Sequence, residues 1–260
     1  MISHFSALIL GLVEGFTEFL PISSTAHLIL TSQLLGIAQS NFTKTFEIAI
    51  QSGAILAVLT LYWKKFLNPE TLKKIVVAFI PTGILGLVFY QVVKNYLLGN
   101  IAVVLWALGI GGALLIIFEY LFEKKVDAQK IPPGVDIESI SYKKSFFVGI
   151  FQSVAMIPGV SRSAATIIGG MLMGISRETI VEFSFLLAVP TLLAATGLDL
   201  FKNLDAFSSS DFGILAVGLV ASFFTAIVSI KFLLRYIKGH TFTIFGVYRI
   251  ALAVAFLLVL

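Results

Sequence analysis

Runs of about 20 apolar residues recur along the chain, and each is long enough to cross the hydrocarbon core of a bilayer as a helix. Six read as full spans, at about 43–63, 72–92, 101–122, 178–200, 212–236 and 241–260. Composition agrees with that reading. Of the 260 residues, 58% are hydrophobic and only 12% are charged, with a mean hydropathy of +1.01. A soluble domain carries about 25% charged residues, so these charges are too few to cover a water-facing surface. The expected fold is an all-α integral membrane protein, one membrane domain over 1–260.

Two segments, 5–38 and 145–176, do not read as single spans. Each is a pair of short apolar stretches broken by a proline and a cluster of hydroxyls. The breaks are Pro21-Ile22-Ser23-Ser24-Thr25 and Pro158-Gly159-Val160-Ser161-Arg162-Ser163. Half-stretches of about 12–16 residues are too short to cross, which predicts two re-entrant helix pairs. Broken backbone at membrane depth survives only where protein or water satisfies its free N–H and C=O groups, so both breaks belong inside the bundle.

The two pairs resemble each other. A shift of 138 residues sets Gly11 on Gly149, Glu14 on Gln152, Ser23 on Ser161 and Thr25 on Ser163; a shift of 135 sets Glu47 on Glu182. Each repeat is then one re-entrant pair followed by three spans. Repeat 1 covers about 5–122 and repeat 2 about 145–260, with a cytoplasmic loop near 123–144. Three spans is an odd number, so the second copy enters from the opposite face. Such inverted-topology repeats place polar sites near the midplane.

The basic residues are asymmetric. Lys64, Lys65, Lys73, Lys74, Lys124, Lys125, Lys130, Lys143, Lys144, Arg177, Lys231, Arg235 and Lys238 share one side, against Lys44, Lys94 and Lys202 on the other. By the positive-inside rule the rich side is cytoplasmic, with both termini outside. The formal charge of +4 therefore reflects topology. No basic stripe with interleaved aromatics is present, which argues against nucleic acid. The absence of cysteine excludes disulfides, thiolate metal sites and cysteine nucleophiles. No Lys or Arg precedes residue 44, and Glu14 and Glu18 interrupt the first apolar run, so no cleavable signal peptide is expected.

Charges inside a membrane cost roughly 2.5–3.5 kcal/mol each on insertion scales, and where they persist they mark function. Here they are Glu14, Glu18, Glu47, Arg162, Glu182 and Arg249, with His27 as a further titratable group. Glu14 and Glu18 share one helix face and repel unless a cation, a divalent metal or an arginine, lies between them. The plainer alternative is that one of them is protonated and hydrogen-bonded. Ser24 and His27 also share a face, a spacing that lets imidazole exchange a proton with a hydroxyl or a leaving group. In the second break, Ser161 can cap a helix whose N-terminus attracts an anion. Arg162 adds a fork suited to phosphate oxygens, and Ser161, Ser163 and Thr166 add hydroxyl donors. Close helix packing would explain Ala164, Ala165, Gly169 and Gly170. It does not explain a buried arginine.

Taken together, Glu14-x-x-x-Glu18, the run from Phe19 to His27 and Pro158-Gly159-x-Ser161-Arg162-Ser163-x-x-Thr166 resemble the bacterial undecaprenyl-diphosphate phosphatase family, also called bacitracin-resistance proteins. The resemblance covers nearly the whole chain, including Phe46-Glu47-x-x-x-x-Gln51 and the stretch from Glu182 to Pro190. Ala26 and Ala165 stand where that family commonly has Gly.

The resemblance implies hydrolysis of undecaprenyl diphosphate to the monophosphate with a divalent cation, Mg or Ca, at a site open to the outer face of the bacterial plasma membrane. Glu18, Ser24, His27 and Arg162 are then the catalytic set. Ser23, Thr25, Ser161, Arg162, Ser163 and Thr166 bind the diphosphate, Glu14 and Glu18 serve the metal, and Glu47, Gln51 and Glu182 support. The partners are a polyprenyl diphosphate and the membrane, with a homodimer left open. The acid-phosphatase superfamily would need a histidine six residues after Arg162, where this chain has Ile168. A secondary transporter is the competing class, since inverted repeats and midplane carboxylates also serve transport.

Overall fold

The computed structural model describes residues 2–97, 100–126, 136–203 and 211–259. Among the described residues the regular structure is helical: α1 (His4–Thr17), α2 (Ser24–Leu34), α3 (Asn41–Phe66), α4 (Pro69–Val92), α5 (Ile101–Val126), α6 (Tyr142–Ser153), α7 (Arg162–Leu172), α8 (Arg177–Lys202), α9 (Phe212–Tyr236) and α10 (Thr243–Val259). Lys130 and the rest of 127–135 in the expected loop, the side chains of Lys124 and Lys125, and Leu260 lie outside the described residues.

Five helices are long and apolar enough to cross a membrane: α3, α4 with the π-helical turn Val93–Leu97 that continues it, α5, α8 and α9. The expected sixth span, 241–260, is the 17-residue α10, at the short end of what reaches across the hydrocarbon core. Local chemistry sets the starts of several helices. Ser3, Ser40, Ser141 and Ser176 each accept an N–H of the first turn, and Asn68 does so just before Pro69.

Both expected breaks are present. Helix α1 stops at Thr17 and α2 starts at Ser24; α6 stops at Ser153, makes one 3₁₀ turn at Val154–Met156, and α7 starts at Arg162. At 1.5 Å per residue these half-helices of 11 to 14 residues are about 16–21 Å long. Ser23 and Ser161 are the described non-glycine residues with positive φ, at 71° and 72°. Each side-chain oxygen accepts an N–H three residues on, from Ala26 at 3.4 Å and Ala164 at 3.2 Å. Such a conformation persists only where its surroundings hold it.

The helices pair across the two halves of the chain. Helix α1 packs on α9 and α6 on α4; α3 packs on α9 and α8 on α4; α3 meets α8 and α5 meets α10. Exchanging α1–α5 for α6–α10 turns this set of pairings into itself. The closest approaches correspond as well. Gly11 lies against the Gly218 carbonyl and Gly149 against that of Ala78, where any methyl group would collide. Small residues of this kind let helix backbones meet in an apolar medium. The main core cluster includes Phe19 of the first break with Ile55, Val58, Phe183, Phe185 and Leu187. The Phe19 ring meets Phe185 edge-on at 5.3 Å.

Candidate active site

Glu18 caps the C-terminus of α1, its N–H bonded to the Glu14 carbonyl, and its carboxylate is divided between the two breaks. Oε2 accepts the Ser24 hydroxyl, and Oε1 accepts Arg162 Nη2 at 2.9 Å. Arg162 also donates from Nη1 to the Ser184 carbonyl at 2.8 Å and to its hydroxyl at 3.3 Å. Its guanidinium lies over the Phe19 ring, 5.7 Å from the centroid. Ser163 adds a second tie by donating to the Phe19 carbonyl at 2.8 Å. An ion pair buried this far gains from its attraction only if further hydrogen bonds satisfy both partners. Ser24 and Ser184 supply them. One donor remains over, since Arg162 Nε is buried without an acceptor.

A cavity of about 680 Å³ meets this cluster, and Glu18, Ser23, Ser24, Thr25, Ser161 and Arg162 form its polar end. Ile80, Ile84 and Leu87 of α4 and Leu192, Ala195 and Leu198 of α8 form an apolar wall. Ile80, Ile84 and Leu87 are exposed. Tyr90, Lys94 and Asp199 line the far end, where Lys94 pairs with Asp199 and the Tyr90 hydroxyl donates to Asp199 at 3.0 Å. The α2 and α7 N-termini both begin at the polar end. Free N–H groups and the partial positive charge of two helix starts therefore meet at one place, an arrangement suited to an anion.

Glu14 lies beside Glu18 and Glu47; its side chain is within hydrogen-bond reach of Glu18, and no donor group of another residue type serves either of its oxygens. A buried carboxylate in that state is costly, roughly 1–3 kcal/mol or more, unless it holds a proton or a cation. Glu47 is satisfied by Ser32 at 2.6 Å and Gln39 at 3.2 Å. The anticipated cation on the Glu14–Glu18 face is thus met on Glu18 by Arg162. No group of three or more His, Cys, Asp or Glu poised for a metal occurs among the described residues.

Histidine 27 is arranged differently from its expected role beside Ser24. Nδ1 meets the Ser23 carbonyl at 2.7 Å, and Nε2 meets the Tyr248 hydroxyl at 2.8 Å, with the two rings stacked 5.6 Å apart. The Ser24 proton is directed at Glu18 instead. Ser163 and Thr166 were expected to bind the diphosphate. Their hydroxyls are engaged by the Phe19 and Arg162 carbonyls, the second at 2.8 Å, and neither residue lines the cavity. Gln51 does line it. Glu182 is not brought to the cluster; its charged neighbours are Lys65, Asp136 and Glu178.

Tyr248 and Arg249 were not among the anticipated site residues. Arg249 is fully buried and donates to the carbonyls of Pro21 and Val160 at 3.2 and 3.1 Å, Gly159 at 2.9 Å, Ala107 at 3.0 Å and Leu108 at 3.4 Å. The available signal was a lone arginine inside an apolar run.

A family model described as bacitracin resistance protein BacA matches residues 7–255. The chain is 51% identical over 255 residues to an undecaprenyl-diphosphatase of Sulfurihydrogenibium sp. (strain YO3AOP1), with 97% of each chain covered. It is 47% identical over 255 residues to an undecaprenyl-diphosphatase of Aquifex aeolicus (strain VF5), covering 98% of this chain and 97% of the relative. A third relative so named, from Thermus thermophilus, is 43% identical over 259 residues, with 98% and 97% covered.

Proposed function

The chain belongs to the bacitracin resistance protein BacA family, and on that premise we propose that it hydrolyses undecaprenyl diphosphate to undecaprenyl phosphate and inorganic phosphate. This returns the lipid carrier to cell-wall synthesis and confers bacitracin resistance. The observation that carries the reading is the Glu18 carboxylate shared between Ser24 and Arg162 at the polar end of an apolar cavity. A diphosphate attached to a long prenyl chain needs both halves of that cavity. The apolar wall of α4 and α8 accepts the chain, while Arg162 and the α2 and α7 N-termini take the phosphates.

In the proposed reaction Ser24 Oγ attacks the terminal phosphorus as Glu18 takes the hydroxyl proton. The bond from that phosphorus to the bridging oxygen breaks, and undecaprenyl phosphate leaves with the bridging oxygen. Water then attacks the phosphoserine, giving inorganic phosphate, and the proton on Glu18 returns to Ser24. Arg162 stabilises the charge that gathers on the phosphoryl oxygens. His27, held through both nitrogens, keeps the Ser23 turn in place. A divalent cation, Mg or Ca, would be held by Glu14 with Glu18 beside it. Glu14 is buried and does not line the cavity, so the charge such a cation would offset is that of the two carboxylates.

The proposed topology is six spans, α3, α4, α5, α8, α9 and α10, with α1–α2 and α6–α7 as re-entrant pairs of an inverted repeat. The exchange symmetry of the helix pairings and the matched Ser23 and Ser161 caps support it. The protein then lies in the bacterial plasma (inner) membrane, with both termini and the active site facing outside.

The test is phosphate release from undecaprenyl diphosphate by purified protein in detergent, where no gradient can drive transport. Turnover is expected. Silence there, combined with movement of the lipid across sealed vesicles, would replace the phosphatase reading with a transporter.

A further inference from the structure

We infer that Arg249 is a positioning residue for this reaction, holding the two broken tips together so that Ser24 and Glu18 on one meet Arg162 on the other. The inference rests on the phosphatase reading. A guanidinium has five N–H groups. In Arg249 the Nε, Nη1 and Nη2 groups make five hydrogen bonds, all to backbone carbonyls. Pro21 lies just before the Ser23 turn, and Gly159 and Val160 lie just before the Ser161 turn. Ala107 and Leu108 belong to α5, the partner of α10. One side chain thus joins tip one, tip two and a continuous helix.

The need for such a group follows from the breaks. Where a helix stops inside an apolar bundle its last carbonyls lose their intrahelical donors, and there is no bulk water to replace them. Arg162 pairs with Glu18 and Arg177 with Glu119, yet the hydrogen bonds of Arg249 all end on carbonyl oxygens. Its contribution is therefore geometric, three donors to the tips and two to α5. The reach from Glu18 to Arg162 depends on how far apart the tips sit. A shift of about 1 Å in such a constellation can cost on the order of 10² in rate.

The test compares Arg249→Lys with wild type in detergent. Lysine keeps the charge but offers three donors on a flexible stem. The expected result is a kcat per folded protein lower by about 100-fold, with the KM for undecaprenyl diphosphate little changed and the thermal midpoint lowered by the carbonyls left without donors. A wild-type kcat, or a rate loss that only tracks lost folded protein, would overturn the inference. Gly111→Ala is the second variant, because the added methyl falls on Arg249 Nη2 and dislodges the guanidinium without altering any charge. The same split between kcat and KM is expected. Unchanged kcat there, or failure of both variants to fold, also counts against the positioning role. If wild type itself releases no phosphate in this assay, it is the phosphatase reading that fails.

Discussion

Ser24 donates its hydroxyl hydrogen to Glu18, a residue on the other side of the first break. The bond turns a capping-region serine into a hydroxyl with its own carboxylate acceptor. It also makes Glu18 the meeting point of both tips, since the second oxygen is bound by Arg162. The first prediction follows from this. Glu18→Gln should lower kcat by about 10²–10⁴, the usual contribution of a general base. Phosphate release at saturating lipid reads this directly, and a variant within tenfold of wild type would remove Glu18 from the proposed step.

Arg162→Ala should leave the protein inserted and folded but cost a factor of about 10²–10³ in rate, as expected for one lost donor to developing charge. Arg162→Lys should recover little, because the two guanidinium arms serve Glu18 and Ser184 separately. Near-wild-type turnover in the alanine variant would end the assignment.

Ser24 and His27 can be separated by the chemistry of any trapped intermediate. A phosphoserine should be stable to acid, and Ser24→Ala should abolish it. His27→Gln should retain measurable turnover, since the ring is occupied by Ser23 and Tyr248. An acid-labile adduct that persists in Ser24→Ala would hand the nucleophile's role to His27.

Chelation of divalent cations should silence the enzyme, and added Mg or Ca should restore it. Glu14→Gln should raise the metal concentration needed for half-maximal rate, while Glu70→Gln, at an exposed acid on the first turn of α4, should not. Full activity of wild type in excess chelator would leave Glu14 as a buried protonated acid.

A reporter fused after α10 should be external, and one inserted at Leu67, between α3 and α4, should be cytoplasmic. Finding both on one side would break the inverted-repeat count.

Five of the six expected spans and both breaks were legible because they rest on local chemistry: apolar run length, prolines and hydroxyl clusters. The positions of Glu18 and Arg162 could likewise be read, since a charge in an apolar run stands out. Their pairing could not, because 144 residues separate them and nothing in the periodicity encodes it. The turn of His27 toward Tyr248 was hidden for the same reason, with 221 residues between the two. In a bundle whose helices are apolar on lipid-facing and protein-facing sides alike, the amphipathic stripe that reveals packing partners in soluble proteins is lost. Ser163 and Thr166 mark another boundary. Sequence identifies a hydroxyl but not whether a neighbouring carbonyl has already taken it.

The exchange of helices between halves has a consequence for the order in which this chain is made. Glu14 and Glu18 leave the ribosome long before Arg162 is synthesised, and α1 long before its neighbour α9. At typical synthesis rates of about 5–20 residues per second, the wait from Glu18 to Arg162 is roughly 7–30 s. During that interval the first half carries its acids into the insertion machinery without Arg162, the cation that pairs with Glu18 in the folded chain. Until the second half arrives, the Glu18 carboxylate has to find its hydrogen-bond donors in water or in the first half alone. Helix α10 brings Arg249, so a ribosome that stalls before residue 249 leaves both tips without their clasp.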